Sequence, residues 1–313
     1  MQSIHASAPA KLILCGEHAV VYGRPAIAVP LSDLRASAAV TPADLGCGLS
    51  FHAPDLGGAW SEDENPTDPL CELAQMTLQQ FGRHPANLRV SLRSMIPIAS
   101  GMGSGAAIGT ALVRALAAYA GYEPTPAEVS ALVYASEQRF HGTPSGIDNT
   151  VIAYEQAIWY LRGDPPTIAP LRVGEPLQLV IGDTGIRSAT RLPVAAVRER
   201  WQADQPTFER FFDLIADLVV RARAALAAGE AIVLGALLDE NQHLLEQIGV
   251  SSPELNRLVN AARTAGALGA KLSGAGWGGV MFALATPDTG ERVGRALSAA
   301  GAKRVLHTTV TAS

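Results

Sequence analysis

The sequence predicts a mixed α/β or α+β protein in two domains, and three observations carry that prediction. Short strand-like runs at Lys11–Leu14, Ala26–Val29, Leu88–Leu92 and Ala157–Leu161 mix with alanine-rich helical patterns. A cluster of proline and glycine, RGDPPTIAPLRVGEP at residues 162–176, separates two regions that each contain strands and helices. At 313 residues and 48% hydrophobic composition the chain is long enough to bury two cores. The expected division is 1–165 and 166–313.

The first strand region, APAKLILCGEHAVVYGRPAIAVP at residues 8–30, sets Lys11, Glu17 and His18 inside an aliphatic run. Lysine and glutamate are almost never fully buried unless paired, so Lys11 needs a partner or an open cleft. The run is broken at Lys11 and Gly16 and lacks a basic lead, so it does not resemble a signal peptide. No uncharged apolar stretch reaches the roughly 18 residues expected of a membrane span. Next, APDLGGAWSEDENPTD at residues 53–68 reads as an exposed loop.

Net charge is −5 with 17% charged residues, which gives no electrostatic footprint for nucleic acid or an anionic membrane. Any anionic ligand must then be held by local geometry. Cys15, Cys47 and Cys71 are odd in number and lack metal-ligand spacing, which points away from a disulfide framework or zinc and toward a reducing cytoplasm.

After Leu88–Leu92, IPIASGMGSGAAIGTALVRALAAYAG places Gly101, Gly103 and Gly105 immediately before a helical pattern that stops at Gly121. Free N–H groups at a helix start bind anions, and glycine lets a phosphate approach the backbone. A purely structural glycine turn fits the same residues. So does a G-x-G-x-x-A dinucleotide turn, although Pro97 interrupts the preceding strand and the acidic residue about 20 positions on, Glu123, sits in a Pro-bounded loop.

The following helix begins at Thr125, with Pro126 in its first position and Glu128 closing a capping box. Val129, Leu132, Val133, Ser136 and Phe140 trace one stripe, and Glu137 falls on it. A carboxylate facing a core is costly unless paired or bound to a metal, so Glu137 is a ligand candidate; a glutamate tilting out at a helix end is the alternative. Asp148 and Asn149 follow the turn TPSG, where such residues also serve as caps. Beyond the break, LQLVIGDTG is a strand entering a turn. Helical stretches are expected from Val194 to Leu245 and from Pro253 to Ala265, with a last strand near Arg304–Val310.

Taken together these segments resemble the GHMP kinase superfamily, most closely the branch that phosphorylates mevalonate. Its three motifs occur in order as PAKLILCGEHAVVYG, PIASGMGSGAA and KLSGAGWGGV, with HGTPSGIDNTV between the second and third. The likeness continues through DTGIRSATR and LLEQIGVSSPELNRLVNAARTAGALGAKLSGAG and so covers most of the chain. It implies a two-domain α+β fold with the site in an interdomain cleft, and ATP- and Mg²⁺-dependent phosphorylation of the 5-hydroxyl of mevalonate.

Residue by residue, the resemblance makes Asp148 the catalytic base and pairs Lys11 with it, which offsets the burial cost of both charges. It gives the phosphates to Ser100, Gly101, Met102, Gly103, Ser104, Gly105 and Ala106, with Gly274–Gly279 packed against that loop. Mg²⁺ falls to Glu137 and Ser104, and the acceptor to His18, Glu17, Thr184 and Arg162. A structural hydrogen bond is the alternative for His18, and an exposed surface position for Arg162. Three positions depart from the family: Gly105 replaces a second serine, Trp277 replaces a glycine, and Glu155–Gln156 replaces small residues. A sister kinase acting on phosphomevalonate or another hydroxy acid, and a non-catalytic ligand sensor, are the rival readings; a homodimer is a further expectation.

Overall fold

A computed structural model describes residues 3–83, 86–98, 100–141 and 144–312. In chain order the strands and helices are β1 (Ile4–Cys15), β2 (Pro25–Pro42), β3 (Leu49–Ala53), β4 (Gly58–Ser61), α1 (Pro69–Gln80), β5 (Leu88–Ser94), α2 (Ser104–Tyr119), α3 (Pro126–His141), α4 (Ile147–Tyr154), β6 (Ile158–Leu161), β7 (Thr167–Pro170) and β8 (Leu177–Asp183). Then follow α5 (Arg191–Ala203), α6 (Gln205–Ala228), α7 (Ala231–Ile248), α8 (Pro253–Thr264), β9 (Gly269–Ser273), β10 (Val280–Ala285), α9 (Gly290–Ala299) and β11 (Arg304–Val310). The mixed α+β class expected from the sequence is the class observed. No helix among the described residues is long and apolar enough to cross a membrane.

The chain forms two compact units. The first comprises Met1–Ala10, Leu34–Ile98 and Gly103–Glu155; the second comprises Lys11–Asp33, Ala99–Met102 and Gln156–Ser313. In the first, strands run in the order β4-β3-β5-β2, with β3 and β5 parallel and the other pairs antiparallel. The second half of β2 alternates strictly: Leu34, Ala36, Ala38 and Val40 are buried, while Arg35, Ser37 and Ala39 are not. That period of two puts one face of the strand on the core. Helices α1 to α4 pack among themselves, and α2 also packs on β5. Helix α2 buries Ala106–Val113 continuously and Ala115–Ala117 after it, so its alanines serve close helix packing.

In the second unit, β11-β8-β10-β9 form an antiparallel sheet whose central strand β10 is buried along its whole length. Helices α7, α8 and α9 pack on its strands, and α6 lies against α7. The opening residues of β2 pair with β6, which pairs in turn with β7.

Three sequence expectations need correction. The 53–68 segment is not wholly loop, since β4 pairs with β3 and stacks Trp60 on Phe51 with ring centroids 5.4 Å apart. The 162–176 break contains β7, whose terminal Pro170 is tolerated because the strand lies at an edge. The helical stretch from Val194 is three helices, interrupted at Asp204 and at Gly229–Glu230. Asp204 caps the next helix with its carboxylate, and Gly229 adopts the left-handed conformation of a C-cap.

Candidate active site

In the first unit, α2 starts at Ser104 behind Gly103, which holds φ 73°. The first-turn N–H groups of such a helix have no helical partners and face any anion placed there. Glu137 lies on α3, half-buried, and the α3 stripe is confirmed for Val129, Leu132, Val133 and Ser136, all buried. The Phe140 side chain and residues 142–143, the latter including the start of the TPSG turn, lie outside the described residues. Glu137, Ser136 and Val133 line a cavity of about 90 Å³ together with Gly105 and Gly109 of α2 and the first turns of α1. The carboxylate and the start of α2 therefore share one open space. The capping box that fixes the start of α3 is formed as expected: Thr125 N donates to Glu128 Oε2 at 2.8 Å, and Glu128 N donates to Thr125 Oγ1 at 3.3 Å. The bonds its carboxylate accepts from Thr125 N, Thr125 Oγ1 and Tyr122 OH hold the Glu128 carboxyl below its usual range.

Asp148 occupies the first turn of α4 behind Gly146, where the helix dipole favours a carboxylate. It is partly exposed, whereas its neighbour Asn149 is buried and donates to Ser130 O at 3.1 Å and to Ser130 Oγ at 2.8 Å. Asn149 thus fixes α4 to α3.

Glu155 closes α4 in the left-handed conformation, and both its oxygens are held by arginines. Arg35 donates to Oε2 at 2.9 Å and to Oε1 at 3.0 Å, and Arg114 also donates to Oε1. This departure from the family's small residue ties β2, α2 and α4 together.

In the second unit, Lys11 is 2% exposed on β1, and its backbone N–H donates to Met102 O at 3.1 Å. Glu17 and Lys271 form a pair with 1% and 0% side-chain exposure. The Lys271 ammonium donates to Glu17 Oε1, and to Leu272 O at 2.6 Å, and lies 5.4 Å from the Phe282 ring centroid. Burial pushes the Glu17 carboxyl up, and the ammonium opposes that shift. Lys271 was missed by sequence reasoning, although a lysine between Ala270 and Leu272 in a buried strand raises the same question as Lys11.

His18 is buried and adopts φ 60°, and its Nε2 lies 3.0 Å from Ala275 O. A carbonyl only accepts, so Nε2 carries the proton. Burial lowers the imidazole pKa to about 4, against the pull of that hydrogen bond, so the ring is neutral at physiological pH. Thr184 is buried and donates from Oγ1 to Gly279 O at 2.8 Å. Arg162 is half-buried and donates to Val21 O at 3.2 Å, so it is not a freely solvated surface residue.

The loop Gly274–Gly279 packs on Ser100–Gly101. Val280 N donates to Ser100 O at 3.1 Å. A Cβ on Gly279, which holds φ 73°, would sit 2.6 Å from Ser100 O, and one on Gly101, at φ 88°, would sit 2.9 Å from Ser273 O. Glycine is required at both for backbone to meet backbone.

Residues 70–156 match the GHMP kinases N terminal domain and residues 222–303 match GHMP kinases C terminal. The chain is 36% identical to a mevalonate kinase of Thermococcus sibiricus, over 96% of this chain and 94% of the relative. It is 36% identical to a mevalonate kinase of Pyrococcus horikoshii, over 95% and 92% respectively. Among solved structures, L. major mevalonate kinase in complex with R-mevalonate matches with a TM-score of 0.86 and 32% identity, covering 99% of this chain and 96% of that one.

Proposed function

Because the chain belongs to the GHMP kinase family, we infer that it transfers the γ-phosphoryl group of ATP to the 5-hydroxyl of mevalonate, giving 5-phosphomevalonate and ADP for isoprenoid precursor synthesis. The observation that carries this is the full-length likeness to mevalonate kinases, including one solved with R-mevalonate.

Asp148 takes the proton of the acceptor hydroxyl, and the Lys11 ammonium lowers the pKa of that hydroxyl. Residues Ser100–Ala106 receive the phosphates through backbone N–H groups. Their support is the helix start at Ser104 behind Gly103 and the open space at Gly105. A single carboxylate, Glu137, lines a cavity with the first turn of α2, and such a site suits Mg²⁺, which usually takes one or two carboxylates plus phosphate oxygens and waters. Glu137 and Ser104 would hold it, and when bound it neutralises charge developing on the transferring group.

On the acceptor side, His18 and Arg162 are assigned to direct contact. Glu17 and Thr184, each hydrogen-bonded within the second unit, shape the pocket. In this reading residues 1–165 form the domain of the phosphate loop, base and metal ligand, and residues 166–313 form the second domain. We place the protein in the cytoplasm as a homodimer.

A coupled ADP-release assay tests the reading with mevalonate, phosphomevalonate, homoserine and galactose offered in turn. Mevalonate is expected to give the highest kcat/KM. Preference for phosphomevalonate would transfer the assignment to a sister kinase, and no turnover with any acceptor would favour a ligand sensor.

A further inference from the structure

Trp277 stands at φ 59°, in the left-handed region where a side chain other than glycine is costly. Something must hold it there. Its backbone N–H donates to Val250 O at 2.8 Å, and its indole Nε1–H donates to Gly249 O at 3.0 Å. The receiving segment is fixed in turn, because Arg200 donates to Ile248 O at 2.6 Å and to Gly249 O at 3.4 Å. The ring is not a core residue, being 36% exposed. Its hydrogen bonds therefore account for its placement better than packing does.

The loop so held has two other attachments. Ala275, two residues before Trp277, presents the carbonyl that receives His18 Nε2. Gly274 and Gly279, on either side, lie against Gly101 and Ser100.

We propose that Trp277 is a positioning residue that latches the Gly274–Gly279 loop to the end of α7, and so keeps His18 and the Ser100–Gly101 segment in their binding geometry. The proposal rests on the reading of the Ser100–Ala106 loop as a phosphate site. Trp277→Gly removes the indole bond to Gly249 O and the backbone strain, and leaves the backbone N–H bond to Val250 O. Trp277→Phe keeps the ring and the strain but removes the N–H donor.

Calorimetric titration with MgATP, alongside thermal melting, tests it. The dissociation constant for MgATP is expected to rise about fivefold in both variants, the scale of one ordinary hydrogen bond. Melting temperature should hold or rise in Trp277→Gly and fall in Trp277→Phe. Weaker binding in a glycine variant that is no less stable is the signature of positioning, since a purely structural role would move stability and affinity together. An unchanged MgATP affinity in folded Trp277→Gly would overturn the proposal. Failure of the unsubstituted protein to bind MgATP would instead sink the phosphate-site reading, and this inference with it.

Discussion

Glu17 and Lys271, bonded to each other, are almost wholly shut from solvent, whereas Glu137 and Asp148 are partly exposed on helices, Glu137 lining a cavity. Glu17, Lys271 and Glu137 all interrupt apolar patterns in the sequence, and there they look alike. The difference is what surrounds them. Two charges that meet in a dry interior compensate each other and hold strands and loops in place, while a half-exposed carboxylate beside a cavity can be reached by a ligand. We therefore propose that the closed pair serves the scaffold and the partly exposed carboxylates the chemistry.

The largest effect should come from breaking the closed pair. Lys271→Met strands a buried carboxylate and is expected to cost about 3–5 kcal/mol in urea unfolding. Adding Glu17→Gln removes the stranded charge and should restore much of that loss. A single variant within about 0.5 kcal/mol of the unsubstituted protein, the range of ordinary surface changes, would show that the pair does not hold the fold.

His18 offers a second test on the same scaffold. An unfolded imidazole takes its proton near pH 6.5, but this one only near about pH 4. Stability present above pH 6.5 is thus lost as pH falls toward 4, by about 3 kcal/mol at the full shift. Glu17, with a raised pKa, contributes with the opposite sign. The difference between the unsubstituted protein and His18→Gln isolates the imidazole. Parallel stability curves for the two proteins would refute its burial in the neutral form.

On the open side, Glu137→Gln is expected to raise the free Mg²⁺ needed for half-maximal activity by about tenfold or more, the scale on which metal sites respond to a lost supporting group. Acceptor KM should change little. A large KM effect with an unchanged metal response would make Glu137 an acceptor residue.

Smaller still is the effect expected at Gly105, which is exposed and has nothing within 4 Å of a Cβ built on it. Gly105→Ser therefore fits without crowding and should lower the Mg²⁺ requirement a few-fold by adding an oxygen to the cavity shared with Glu137. Identical Mg²⁺ midpoints and maximal rates would show that the missing serine has no bearing on the metal.

Much of this was legible in the sequence wherever a local pattern carried it. The capping box at Thr125, the Glu137 stripe and the strands at Leu88–Leu92 and Arg304–Val310 are set by neighbours in the chain. What escaped depends on distant partners. Residue 17 meets residue 271 only after folding, so the Glu17–Lys271 pair has no signature in either local pattern. Strand β4 is four residues with a glycine start, and it exists because β3 offers it an edge. Glu155 is held by Arg35 and Arg114, partners 120 and 41 residues away that no local pattern announces. The interleaving of chain segments between the two units leaves no compositional mark, since composition registers only breaks along the chain.

The most direct test of the division between scaffold and chemistry is the turnover of Asp148→Asn, measured with ATP and mevalonate on protein shown to be folded by its melting temperature. A fall of at least about a hundredfold is expected, the scale of general-base catalysis, with the variant still folded and MgATP affinity unchanged. Nearly normal turnover in the folded variant would contradict it and remove Asp148 from the chemistry.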